Sequence, residues 1–291
     1  MVIEINSEIV LGTPQPSSTV MVLRDGPEGL EVLMVRRHGR SAVLGGAHVF
    51  PGGKLDAADC EVPASRLDRP ATELTQALDE PGLTPETAAG LYLAALRETH
   101  EECGLLLGLP DAHRPPEERL SFPAIWAQLG LPLPTRALAP WSRWITPRVP
   151  SVTNKRFDTR FFIALMPAQQ TAAHDNHEAT ETTWLTPSQA LHRYWDGAID
   201  LAPPQIMSLS QLARHASAAQ AWRAASVRPP ALIEPFPFDE DGVRTICYPG
   251  DPRHPVARPA WPGPTRLSYR HQRFEPEGGL AALLDDPPSG L

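Results

Sequence analysis

Hydrophobic and polar positions alternate most clearly near the start of the chain. "STVMVLRD" (18–25) and "GLEVLMVRR" (29–37) are β-rich runs separated by Gly26 and Pro27, a pattern that predicts a hairpin. "GGAHVFPGGKLDAAD" (45–59) is glycine-rich and interrupted by Pro51, which predicts a short strand running into a loop. Residues 60–83 are polar and weakly periodic and read as an insertion on the surface, with a short helix inside "RPATELTQALDE" (69–80). On this reading, deleting much of 62–80 leaves a folded protein. The strongest helical signal spans 83–108. Thr84 is its N-cap, Pro85 suits the first helical position, Glu86 the first turn, and Gly104 or Gly108 its end.

Further on, the pattern predicts a helix at 117–129. Strands follow at "PWSRWITP" (140–147), "FDTRFFIALMPA" (157–168) and "ATETTWL" (179–185). A helix begins at the Thr186–Pro187 entry, and one long amphipathic helix is expected over 203–225. The domain reading is one unit over 15–225, followed by a Pro-rich, partly ordered extension at 226–291.

Composition narrows the function. The 291 residues include 34 prolines and are 42% hydrophobic and 21% charged, an ordinary globular balance apart from the prolines. A formal charge of −8 argues against binding nucleic acid through its phosphates. Cys60, Cys103 and Cys247 are far apart and are expected to be free thiols in a reducing compartment. No apolar run reaches the length of a membrane span, and no secretory, peroxisomal or ER address is read at either end. A cytoplasmic protein with no membrane contact is the expectation.

The chemistry is concentrated in "RETHEECGL" (97–105). On a helical wheel Leu96, Thr99, His100 and Cys103 share the packing face. Glu101, Glu98 and Glu102 fall about 140°, 200° and 240° from Leu96, on the opposite side. Like charges three and four residues apart repel, and only Arg97 lies near enough to relieve them. Carboxylates at this density are either a solvated acidic face or the hard oxygen ligands of Mg²⁺ or Mn²⁺. His100, on the apolar side, reads as a core residue.

This stretch resembles the Nudix hydrolase signature, Gly-x5-Glu-x7-Arg-Glu-U-x-Glu-Glu-x-Gly-U with U bulky and apolar. Arg97, Glu98, Glu101, Glu102, Gly104 and Leu105 supply its second half, with Thr99 where an apolar residue is usual. Gly53, followed six positions later by Asp59 in place of Glu, fits its first half. The two halves are roughly thirty residues further apart than the signature allows. A box interrupted after "FPGG" is similar to the coenzyme A and acyl-CoA diphosphatase branch, and "GLEVLMVRR", "WITP", "RFDTRFFIALMP" and "TETTWLTPSQAL" agree with it.

The resemblance implies an α/β (α+β) Nudix fold, a mixed sheet sandwiched between helices. It also implies an enzyme, a Nudix diphosphatase requiring Mg²⁺ or Mn²⁺, with CoA or acyl-CoA cleaved at the pyrophosphate to 3′,5′-ADP and a phosphopantetheine product. Metal ligands would be Glu98, Glu101, Glu102 and the carbonyl of Gly53. Arg97 would orient a box glutamate, and Glu178 or Glu181 could act as general base. Arg36, Arg37 and Arg40, with Lys155 and Arg156, are the candidates for substrate phosphates. Phe161 and Phe162 read as core residues of their strand. The alternatives are a Nudix pyrophosphatase acting on ADP-ribose, NADH or another dinucleotide, or a Nudix-fold binding or regulatory module without catalysis.

Overall fold

The computed structural model describes residues 6, 8–39, 44–113, 120–151, 155–174 and 179–284. Strands β1 (Gln15–Gly26) and β2 (Gly29–Arg37) form the expected hairpin, closing at Gly26 opposite Gly29. Strand β3 (His48–Val49) pairs with β2, and β4 (Gly52–Lys54) pairs antiparallel with β1. After helices α1 (Ala57–Cys60), α2 (Ala71–Leu78), α3 (Pro85–Cys103) and α4 (Phe122–Gln128) come β5 (Ala139–Ile145), β6 (Phe157–Leu165) and β7 (Ala179–Leu185). The order β3-β2-β1-β6-β5 is mixed. The β1–β6 pair is parallel, β5–β6 is antiparallel, and β7 lies antiparallel on β2.

Alternation along β1 assigns the two faces of this sheet, because successive side chains of a strand point to opposite sides. Val20 and Val22 join Leu33, Val35 and Phe162 in a core beneath α2, α3 and α4. Met21 and Leu23 join Met34, Phe161 and Ile163 beneath α5 (Pro187–Trp195), α6 (Pro203–Leu212) and α7 (Ala218–Ser226). The sheet is therefore covered by helices on both sides, as the Nudix resemblance implies.

Two expectations change. The long helix expected over 203–225 is two helices. Ser217 is extended (φ −152°, ψ 158°) and its hydroxyl accepts from the Gln220 N–H, so a new N-cap interrupts a continuous apolar stripe. The 60–83 segment is not a surface appendage either. Leu67, Leu74 and Leu78 are buried in the α3 core. Glu80, its side chain 6% exposed, pairs with Arg143 at 3.0 Å and with Arg160, which pins the end of the segment to β5 and β6.

Beyond α7 the chain adds β8 (Ala231–Ile233) parallel to β5 at the sheet edge. Strands β9 (Phe236–Glu240), β10 (Val243–Cys247), β11 (Arg266–Arg270) and β12 (Arg273–Glu275) then form an antiparallel sheet, followed by α8 (Gly279–Leu284). Ile246, Leu267, Phe274 and Leu283 belong to the same buried cluster as α5 and α6. Cys60, Cys103 and Cys247 form no disulfide, as expected. Among the described residues no helix is long and apolar enough to cross a membrane.

Candidate active site

Helix α3 begins as expected. Thr84 accepts from the Thr87 N–H, Pro85 stands at the first position, and Gly104 ends the helix at φ +69°, a left-handed conformation that favours glycine. From Ala88 to Leu96 the helix is buried without interruption, because the sheet covers one side and α1 and α2 the other. The wheel placed all three glutamates away from packing. Instead Glu102 is 4% exposed, and Glu98 is largely covered, its side chain 14% exposed; Glu101 is half-exposed.

What covers them is β4. The Thr19 hydroxyl donates to the Pro51 carbonyl at 2.8 Å, and the Val20 N–H reaches the same oxygen at 2.9 Å, which holds the "FPGG" turn against β1. The Gly52 N–H then donates to Glu102 Oε2 at 3.0 Å. A Cβ at Gly53 would stand 2.2 Å from Glu98 Oε1, so a side chain there would have to displace this carboxylate. A Cβ at Gly52 would meet the Ser18 carbonyl oxygen at 2.3 Å.

Arg97 is the hub of the cluster. Its Nε and Nη2 donate to Asp59 Oδ1 and Oδ2 at 3.0 and 2.9 Å, a two-point clamp across 38 residues of sequence. Its Nη1 donates to Glu98 Oε1 at 2.9 Å and Glu101 Oε2 at 3.1 Å, and Nη2 also reaches the Lys54 carbonyl at 3.1 Å. Burial works to lower the Arg97 pKa. Hydrogen bonding to Asp59 and the charges of Glu98, Asp59 and Glu101 outweigh it and push it above its ordinary value. Arg97 is thus a largely buried tie, not a loose surface partner of Glu101. Asp59 lies in α1, 7% exposed, and also accepts from the Asp56 N–H at 3.0 Å. The two halves of the motif therefore meet in space although the 60–83 segment separates them.

Among the described residues, no three His, Cys, Asp or Glu side chains are gathered so as to hold a metal ion. The donor set nevertheless suits a hard divalent cation: Glu98, Glu101 and Glu102 supply carboxylate oxygen, with the Gly53 backbone set directly against Glu98. In this arrangement Arg97 takes up Glu98 Oε1 and Glu101 Oε2, while the Gly52 N–H takes up Glu102 Oε2. His100 is a packed residue, its ring 6.2 Å from Phe122 and its pKa lowered by burial.

Beside the carboxylates lies a cavity of about 680 Å³. Glu98, Glu101 and Arg97 line it with Arg37 and Lys155. Arg37 Nε is enclosed with no hydrogen-bond partner among the described residues. The cavity does not bring in every basic candidate. Arg36 is exposed and is not part of the wall. Arg156 is spent on backbone, donating to the carbonyls of Thr146 and Gly12 at 3.0 and 2.8 Å. Arg40 and Glu178 lie outside the described residues. Glu181 is exposed on β7 opposite Arg36 and also lies off the cavity wall.

The remaining wall includes an apolar stretch as well as polar residues such as Ser17, Thr159 and Gln205. Phe162 packs under α3, 4.7 Å from Tyr92, but Phe161 faces the cavity beside Trp144, with ring centroids 6.2 Å apart. Pro203, Pro204 and Gln205 at the start of α6 join them, and the C-terminal region contributes Pro235 and Ile246. Trp144 and Phe161 fall within "WITP" and "RFDTRFFIALMP", but no motif marks Gln205, Pro235 or Ile246, which long stretches of chain separate.

Comparison with known proteins returns the family that the motif resembles. The NUDT19 Nudix domain family matches residues 69–212. The acyl-coenzyme A diphosphatase NUDT19 of Xenopus laevis is 28% identical over 239 residues, 64% of this chain and 60% of that protein. Its Homo sapiens counterpart is 29% identical over 255 residues, 72% of this chain and 68% of that one. The chain thus spans about three fifths of the length of the first of these relatives. A crystal structure of a NUDIX hydrolase from Alicyclobacillus acidocaldarius superposes with a TM-score of 0.58 and 25% identity, covering 75% of this chain and all of that one.

Proposed function

We propose that this chain, which carries the Nudix fold and matches the NUDT19 Nudix domain family over residues 69–212, is a divalent-metal-dependent diphosphatase that cleaves coenzyme A or acyl-CoA at the pyrophosphate. The products would be 3′,5′-ADP and (acyl-)phosphopantetheine. One observation carries this reading: Arg97 clamps Asp59, Glu98 and Glu101 together at the mouth of a cavity large enough for a nucleotide. The names of the matched Xenopus laevis and Homo sapiens relatives support the choice of substrate.

Glu98, Glu101, Glu102 and the Gly53 carbonyl would hold Mg²⁺ or Mn²⁺. Such an ion supplies charge neutralisation at the diphosphate and lowers the pKa of water. The protein's own residues do the rest. Arg97 fixes the carboxylates before substrate arrives, so little reorganisation is needed at the moment of reaction. Arg37, its Nε without an acceptor among the described residues, and Lys155 place positive charge on the wall for phosphate oxygens. Trp144 and Phe161 give the cavity an apolar stretch that excludes water from the non-reacting part of the substrate.

The test is hydrolysis, followed by mass spectrometry, of CoA, several acyl-CoAs, ADP-ribose, NADH and diadenosine polyphosphates, with and without Mg²⁺ or Mn²⁺. Release of 3′,5′-ADP only in the presence of metal is the expected result. Cleavage of another member of the panel with CoA untouched would retain the chemistry and discard the substrate. Silence across the panel with both metals would remove the catalytic reading.

A further inference from the structure

The cavity has a polar group that the carboxylate cluster does not explain. Gln205 comes from α6, on the face of the sheet away from α3, and is 8% exposed. It lines the cavity, and its Oε1 is enclosed with no hydrogen-bond partner among the described residues. Buried carboxamide oxygens are almost always satisfied, so an orphan at a ligand cavity marks a place where something else completes the bond. The start of α6 sharpens the point. Pro203 and Pro204 occupy its first turn, and neither has an N–H to offer. The Ile206 N–H is already bonded to the Ala202 carbonyl at 3.1 Å. The polar groups left to meet a ligand at this stretch of wall are therefore those of Gln205, among Trp144, Phe161, Pro235 and Ile246.

We infer that Gln205 is a specificity-determining residue whose Oε1 accepts a hydrogen bond from an uncharged N–H donor on the non-reacting part of the substrate. The carboxamide carries no charge, and its orphan oxygen would repel a phosphate, so the partner of that atom is not one of the anionic groups served by Arg37 and Lys155. A substrate of the class proposed above, on which this inference rests, offers two such donors: the exocyclic amine of adenine and the amide N–H groups of the pantetheine arm. A wall group that hydrogen-bonds a substrate N–H rejects analogues lacking it, because the protein acceptor is then left unpaired.

The experiment compares wild type with Gln205→Leu on three metal-supplemented substrates. These are CoA, its hypoxanthine analogue, in which a carbonyl replaces the amine, and a 3′-phospho-ADP β-methyl ester that lacks the pantetheine arm. Gln205→Leu is expected to raise KM for CoA about tenfold, or ~1.4 kcal/mol, with kcat unchanged and Tm not lowered, since the substitution also removes an orphan acceptor. If the donor is the adenine amine, wild type and variant have equal KM on the hypoxanthine analogue. If it is a pantetheine amide, they converge on the methyl ester instead. An unchanged KM for CoA overturns the inference. So does a rise by the same factor on all three substrates, which is what a merely structural residue produces. Should Gln205→Leu fail to fold, Gln205→Met, similar in length and flexibility, is read in the same way. Failure of the diphosphatase reading itself appears separately, as wild type inactive on every substrate, and the inference then falls with it.

Discussion

The two sides of the cavity are built on different plans. On the α3 side, Arg97, Glu98, Glu101 and Glu102 fall within six consecutive positions, and β4 supplies Gly52 and Gly53 from a single turn. On the α6 side, the wall is assembled from Trp144, Phe161, Gln205, Pro235 and Ile246, drawn from three strands, a helix and a loop. Chemistry on a diphosphate needs several charged groups within a few ångströms of one another, and one helical turn provides that cheaply. Recognition of the neutral, non-reacting part of a large substrate needs area, and area comes from many elements.

The largest effect that separates the two plans is expected at Glu102. Its carboxylate is buried and accepts from the Gly52 N–H, and Gln keeps that acceptor while losing the charge. Glu102→Gln should lower kcat by about 10³-fold, ~4 kcal/mol, with little change in Tm. Activity within a few fold of wild type would remove Glu102 from the metal set. Glu102→Ala should in addition lower Tm, because the Gly52 N–H is then left unpaired.

Next in size is the segment between the halves of the motif. Leu74 is fully buried under α3, so Leu74→Ala should cost about 2–5 kcal/mol. A shift in the urea midpoint measures it. A cost near zero would restore the reading of 60–83 as a dispensable loop. Smaller again is the hub. Arg97→Lys keeps the charge but loses the two-point hold on Asp59. Loss of a group that orients ligands typically costs about 10–100-fold, and it should fall on kcat and on metal affinity, not on KM for the nucleotide. Lys155→Ala should do the reverse, raising KM on the order of a few fold and weakening its dependence on ionic strength.

The same contrast explains what the sequence disclosed. The hairpin, α3 with its Thr84 cap and Gly104 end, and the strands at 139–145, 157–165 and 179–185 follow from local periodicity and turn chemistry. The carboxylate turn is legible because its residues are neighbours. Asp59 was half-legible: its spacing from Gly53 pointed to it, but only the fold brings it to Arg97 across the intervening helices. The burial of Glu102 was not legible, because a helical wheel assumes one packed side and α3 is covered on two. The break at 213–217 escaped because a serine cap interrupts a stripe that is apolar on both sides of it. Ile246 and Pro235 carried no signal at all, since nothing in a turn-rich, Pro-rich stretch says which cavity its strands will reach.

The smallest effect tests whether that C-terminal stretch supports the recognition wall. Asp251 is 2% exposed and accepts from Arg266 Nε and Nη2 at 2.6 and 2.8 Å and from the Arg253 N–H at 2.9 Å. It lies between β10, which carries Ile246, and β11. Burial works to raise its pKa, but the Arg266 guanidinium, with the Arg253 N–H and the Thr265 hydroxyl, outweighs it and holds the carboxyl below its ordinary 3.8. A depressed folded-state pKa means that the unfolded chain takes up the proton first as acid is added. The stabilisation is therefore fully present above 3.8 and is lost as pH falls through the lower, folded value. Asp251→Asn should unfold at lower urea than wild type at pH 7, and the gap should close as pH drops below 3.8. If β10 and β11 hold the wall in place, the same variant should raise KM for CoA at neutral pH while kcat, set on the α3 side, stays where it was. A fall in kcat with KM unchanged would mean that the two sides are coupled and the division between them is wrong.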